Sequence, residues 1–299
     1  MKFQNDPVDV IVISSGNKQR PQKPLLFFCQ GSLPQPVIKY DEKGLYPILP
    51  FDEQPFLDAF HIAIVAKPFI PVIADATTLG KDFTYYRDDK TQLPPSQYAQ
   101  RNFLDYYVAR NNFIIKQLAR ERWVDARRIV VVGHSEGATV AAKMAASNRK
   151  ISHLIYAGGN PYGRILSMLA QARAAEDNEE GNYILDYWRE VVENRNHIRP
   201  GMGDSPKTSY DFSQPQGQNM LQLDIPVLVS YGLKDWSAPY NDLLQVEAIR
   251  AGKTNIAFRA YPGLEHNFFG VDANGKPDNT QYHWEQIASD WREWLAKNP

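Results

Sequence analysis

Residues 128–146 read RIVVVGHSEGATVAAKMAA. The apolar, largely β-branched run Ile129, Val130, Val131 and Val132 predicts a buried parallel strand. An Ala-rich helical run, 138–146, follows almost at once. Between them stands Gly133-His-Ser-Glu-Gly137, a GxSxG pattern in a strand–turn–helix setting. In that setting the chain turns so sharply that only small residues fit two positions either side of the serine. The Ser135 hydroxyl then stands at the top of a sheet, and the Glu136 N–H points at whatever it attacks. The plainer reading is a Gly-rich strand–helix turn whose serine only caps the helix.

A serine hydroxyl is a weak nucleophile at its own pKa. It needs a base within hydrogen-bond reach, and the base needs a group to orient it. For a serine on such a turn the acid and then the histidine should follow in chain order, each just past a strand. Residues 226–231 read as a strand, and Gly232-Leu-Lys-Asp235-Trp-Ser-Ala-Pro239 follows; 255–261 read as the last strand, and Pro262-Gly-Leu-Glu-His266-Asn-Phe-Phe follows. Of the six histidines, His266 alone lies in a post-strand loop after an acid. His61 lies inside a strand run, His134 is the variable position of the turn, His153 opens a strand, His197 falls among helices and His283 begins the last helix. Asp235 is the expected orienter, with Asp242 and Glu265 as rival acids. Strand 25–29 ends in Gln30-Gly-Ser, where Gly31 permits close backbone approach, so the Ser32 N–H is the expected second oxyanion donor. Candidate pocket residues are Gln30, Tyr162, Trp236 and Phe268, with core packing as the ordinary alternative for each aromatic ring.

The rest of the chain alternates in the same manner. Strands are expected at 8–13, 25–29, 60–66 and 152–157, with a polar turn at 17–24. A long loop covers 68–96, and loops of that length are usually functional. A helix is expected over 97–122, with Phe103, Tyr106, Tyr107, Ile114 and Leu118 near one face. Alternation lapses after 158–161. Helices at 164–175 and 183–197 and a Gly/Pro/Ser-rich loop at 199–219 suggest a helical lid, 162–221, inserted over the C-terminal edge of the sheet. The lid and loop 68–96 would shape the pocket. Further helices are expected at 239–251, with Leu243, Leu244 and Ile249 inward, and at 281–296. The expected class is thus α/β: one domain over 1–299, a mostly parallel sheet with helices on both faces.

A chain of 299 residues can bury a large core without covalent staples. Its net charge of −1 argues against nucleic acid or an anionic membrane as main partner. The single cysteine, Cys29, lies in a strand run and reads as a small buried side chain. No apolar stretch approaches the ~18 residues of a membrane span, and the polar first residues carry no signal peptide. The default compartment is cytoplasmic, with periplasm or secretion the alternative if a leader was removed.

GHSEG at 133–137, GLKD at 232–235 and LEHNF at 264–268, set in this alternation, resemble the α/β-hydrolase superfamily over nearly the whole chain. Within it the sequence is most similar to esterases and to the peptidase-like group around dienelactone hydrolase and prolyl oligopeptidase catalytic domains. The resemblance implies a mostly parallel sheet, no metal or redox cofactor, and an acyl-enzyme on Ser135. Three features depart from the pattern. The oxyanion loop reads QGS rather than HG or HGG, and serine replaces the cysteine of dienelactone hydrolases. The first expected strand opens at Val8, so no propeller is expected ahead of it, and one N-terminal strand common in the superfamily is expected to be missing. The expected activity is cleavage of a carboxylic ester of a small or medium acyl substrate. Peptidase, thioesterase or acyltransferase chemistry would use the same residues, and a hydrolase-fold protein that only binds ligand is the non-enzyme alternative.

Overall fold

The computed structural model describes all residues except 17–20, 88–91, 175–177, 200 and 202. Parts of the expected turn at 17–24, of loops 68–96 and 199–219, and the last residue of the helix expected at 164–175 therefore lie outside the described residues. Seven strands form the central sheet: β1 (Val10–Ile13), β2 (Lys23–Cys29), β3 (His61–Val65), β4 (Val124–His134), β5 (His153–Ala157), β6 (Val227–Gly232) and β7 (Ile256–Tyr261). Their order is β7-β6-β5-β4-β2-β3-β1. Every pairing is parallel except β1 with β3 at the edge. No eighth strand joins this sheet among the described residues; Lys2–Phe3 and Asp6–Pro7 form a separate small hairpin.

The central strands are buried on both faces, which is why they read as uninterrupted apolar runs. Alternate residues enter different cores: Leu25, Phe27, Ile129 and Val131 pack with one set of helices, and Leu26, Phe28, Val130 and Val132 with the other. The first core receives α1 (Leu104–Leu118), α2 (Glu136–Ser147) and α7 (Ala238–Arg250). Against the second packs α8 (Trp284–Lys297), through Trp284, Ile287, Trp291 and Leu295. Along the chain between β5 and β6 come α3 (Arg164–Ala174), α4 (Asn178–Glu193), α5 (Pro206–Phe212) and α6 (Gly217–Leu221). No helix among the described residues is long and apolar enough to cross a membrane.

Several expectations need correction. The helix expected over 97–122 is broken: Ser96–Ala99 forms one turn, Phe103 is extended, and α1 starts at Leu104. Asn102 is diverted there into side-chain bonds, accepting from the Tyr107 hydroxyl at 2.9 Å. The loop expected at 199–219 contains α5 and the first three residues of α6. The Ser205 side chain accepts the Thr208 N–H and Pro206 stands in the first turn, a legible start signal. Residues 281 and 282 belong to a strand, Pro277–Tyr282, paired with Phe269–Val271, so α8 begins later than expected. On α7 only Leu244 of the three expected residues faces inward, with Ala238, Asn241 and Ala248; Leu243 and Ile249 are exposed. Ile73–Asp75, inside the loop expected at 68–96, is a strand of a small sheet with Ile38–Asp41 and Gly44–Pro47.

Candidate active site

Parallel register brings the strand ends to one edge: His134 stands opposite Ala157, Gly133 opposite Cys29, and Gly232 opposite Tyr261. Strand order reverses at β4, where open parallel sheets gather ligand contacts. Ser135 follows β4 with φ 58° and ψ −126°, a backbone conformation costly for a residue with a side chain. The turn is held by the Ser135 N–H, which donates to the Ala157 carbonyl at 2.9 Å. Its two glycines are steric necessities. A Cβ on Gly133 would lie 2.0 Å from the Gly137 carbonyl oxygen, and one on Gly137 would lie 2.2 Å from that of Cys29.

The structure brings Ser135, His266 and Asp235 together across 131 and 31 residues of chain. His266 Nε2 lies 2.9 Å from Ser135 Oγ, and His266 Nδ1 lies 2.8 Å from Asp235 Oδ2. The Ser237 N–H donates to Asp235 Oδ1 at 2.8 Å, so both carboxylate oxygens are engaged. Burial works to raise the Asp235 pKa, but His266 and Ser237 outweigh it and hold the carboxyl below its ordinary value. Burial likewise works to lower the His266 pKa. The hydrogen bond and charge of Asp235, with the Glu265 carboxylate, outweigh it and raise the imidazole above its ordinary value.

The two loops after β6 and β7 are bonded to each other, through Lys234 N–H to the Leu264 carbonyl (2.8 Å) and Leu233 N–H to that of Tyr261 (2.9 Å). The rival acids have other tasks. Asp242 accepts the Tyr231 hydroxyl at 2.5 Å, and Glu265 Oε1 accepts the N–H groups of Asn267 and Phe269. His134, set aside in the sequence as the variable position, contributes to the site. Its Nε2 lies 2.8 Å from the His266 carbonyl oxygen, which can only accept, so that nitrogen carries the proton. Burial, and then the neighbouring His266, push the His134 pKa down to about 3, so the ring stays neutral.

Ser32 and Glu136 line one cavity with Ser135, of about 540 Å³. Neither backbone N–H donates to a backbone carbonyl among the described residues, as expected for Glu136 in the first turn of α2. The Ser32 loop is tethered by the Tyr98 hydroxyl, which donates to the Ser32 carbonyl at 3.2 Å. The Glu136 side chain is buried between two cations, Lys67 Nζ at 3.5 Å and Arg164 Nη1 at 3.4 Å; Arg164 also holds Asp204 at 2.7 Å. Motif reading could not find Lys67 or Arg164, because their partners come from separate elements.

Trp236 lines the same cavity. Gln30 lines a second one, but its amide is committed to the Val65 carbonyl at 2.5 Å. Tyr162 does not reach either cavity: its hydroxyl bonds Glu247 while its ring packs on the core. Phe268 is fully buried, edge-on to Trp284 at 4.8 Å, and lines neither. Both are structural because packing against the core holds their rings away from the cavity walls. From the region expected to be a lid, Arg164, Ser167, Met168, Gln171 and Phe212 line the larger cavity. The described residues of 68–96 line neither; Tyr85 instead ties that segment to Pro34 through its N–H.

No family profile matches the chain, and no curated protein is similar to it in sequence. Solved structures are similar to it. Est1E of Butyrivibrio proteoclasticus, solved with ferulic acid bound, is 13% identical with a TM-score of 0.57, over 99% of this chain and 96% of its own. An acylaminoacyl peptidase of Pyrococcus horikoshii is 16% identical with a TM-score of 0.55, over 96% of this chain and 39% of its own. A puromycin-hydrolyzing peptidase of Mycobacterium tuberculosis is 15% identical with a TM-score of 0.53, over 88% and 34%. The chain thus spans well under half the length of the peptidases it matches. The fold is that of the α/β-hydrolases.

Proposed function

We propose that this chain is a serine hydrolase that cleaves a carboxylic ester of a small or medium acyl substrate. The observation that carries the reading is the hydrogen-bonded series Ser135–His266–Asp235, with the serine on a strained turn. His266 Nε2 takes the hydroxyl proton as Oγ attacks the carbonyl carbon, and Asp235 stabilises the imidazolium that forms. The oxyanion accepts the N–H groups of Glu136 and Ser32, each worth ~3–4 kcal/mol in the transition state. The intermediate collapses as His266 gives the proton to the leaving alcohol, and an acyl group remains on Ser135. Water, deprotonated by the same imidazole, then attacks the acyl carbon; the bond to Oγ breaks, the imidazolium returns its proton to Oγ, and the acid leaves. The Glu136 carboxylate, one residue from the developing negative charge, is offset by Lys67 and Arg164.

Support for an ester over an amide comes from the end-to-end match with Est1E. Amide and thioester cleavage pass through the same intermediate, so substrate comparison decides. The test has two parts. A fluorophosphonate probe should label wild-type protein and fail to label Ser135→Ala. A panel of p-nitrophenyl esters should be turned over in preference to aminoacyl amides. Absence of labelling in correctly folded protein would leave a ligand-binding protein of this fold.

A further inference from the structure

Two cavities meet at Ser135, and among the described residues Ser135 and Ser32 alone line both. They differ in charge. The larger, about 540 Å³, is bordered by Arg164, Lys234, Lys276, Glu136 and Glu265. The smaller, about 340 Å³, has Phe28, Phe269, Tyr282 and Trp284 in its walls, with Leu33 and Ile48. No Asp, Glu, Lys or Arg lines it among the described residues. Its one histidine, His134, is held neutral and already donates to the His266 carbonyl. Its Gln30 and Gln35 amide nitrogens donate to the Val65 and Asp82 carbonyls, while Gln30 Oε1 is buried without a hydrogen-bond partner. Phe269 and Tyr282 face each other across the hairpin with ring centroids 5.4 Å apart. Tyr282 and Leu33 remain nearly half exposed, so apolar surface beside the nucleophile is left for another molecule to cover.

We infer that the smaller cavity receives an uncharged aromatic half of the substrate, while any charged group of the substrate lies along the larger one. The inference rests on the hydrolase reading for the position of the scissile bond. That bond must sit where attacking hydroxyl and oxyanion donor meet, and Ser135 and Ser32 are the junction of the two cavities. A charged group in the smaller cavity would lose its hydration with no counter-ion in the walls. An aromatic ring would gain ring contacts on several sides, at a volume within the ~300–1,000 Å³ range of small-molecule sites. The hairpin Phe269–Val271/Pro277–Tyr282 serves both cavities, with Phe269 and Tyr282 in one and Pro277 in the other.

The test uses esters alike except in one half, where a phenyl ring is exchanged for an ammonium or carboxylate group. One arm carries the ring in the acid, the other in the alcohol, and the arm that responds identifies the side of the bond. In one arm, kcat/KM should be at least about tenfold higher for the ring. Ile48→Trp, which narrows the cavity, should lower kcat/KM for the preferred ester at least about tenfold more than for methyl acetate. Calorimetric binding of benzyl alcohol, independent of turnover, should be lost in the same variant. Equal rates for ring and charged groups in both arms would overturn the inference. So would an Ile48→Trp loss as large for methyl acetate as for the ring ester. If no ester is cleaved and Ser135 is not labelled, the hydrolase reading fails; retained benzyl alcohol binding, lost in Ile48→Trp, would still uphold the aromatic cavity.

Discussion

Asp235→Asn keeps the size of the side chain and alters one hydrogen-bonding group, and the surrounding donors and acceptors set the consequence. Asp235 Oδ1 accepts the Ser237 N–H at 2.8 Å, and Oδ2 faces His266 Nδ1 at 2.8 Å. The asparagine oxygen stays on Ser237, because the flipped amide would set two buried donors against each other at ~1–3 kcal/mol. The NH₂ group therefore faces Nδ1, which must accept. The imidazole proton moves to Nε2, the atom 2.9 Å from Ser135 Oγ, and that nitrogen can no longer take the hydroxyl proton. A wrong tautomer of this kind costs ~10⁴ in kcat, or ~5 kcal/mol of barrier. The imidazole pKa falls as well, because the group that raises it is gone. The assay is kcat/KM for p-nitrophenyl acetate from about pH 5 to about pH 9, with thermal melting as a folding control. A folded Asn variant within about tenfold of wild type, its acid limb unmoved, would refute the reasoning.

Wild-type activity should fall as pH drops through the His266 pKa, because only neutral imidazole accepts the proton. That limb should lie above the ~6.5 of free histidine and should move to lower pH in Glu265→Gln, which removes one raising charge but keeps the acceptor for Asn267 and Phe269. His134→Phe leaves the His266 carbonyl without its donor. At ~1–3 kcal/mol this should lower kcat/KM by about ten- to hundredfold, with the acid limb in place, since His134 does not titrate in that range. Lys67→Met strands the buried Glu136 carboxylate with Arg164 alone, and urea unfolding should show a loss near ~3 kcal/mol, the low end for a broken buried pair. Lys67→Met combined with Glu136→Leu should recover most of that loss.

Much of this protein is set by local pattern. The β-branched run at 129–132, the small residues around Ser135 and the post-strand positions of Asp235 and His266 depend on backbone sterics and strand order, which neighbouring residues express directly. Fold class, the chain order of nucleophile, acid and histidine and the meeting of Ser135, Asp235 and His266 were legible for that reason. The break at Phe103, the outward turn of Leu243 and Ile249, and the burial of Phe268 were not, because each depends on what packs alongside. The neutral His134 bonded to the His266 backbone, the Lys67–Glu136–Arg164 cluster and the two unlike cavities at Ser135 exist only in three dimensions. Each joins residues from separate elements, and no spacing along the chain encodes a contact whose partners are brought together by the sheet.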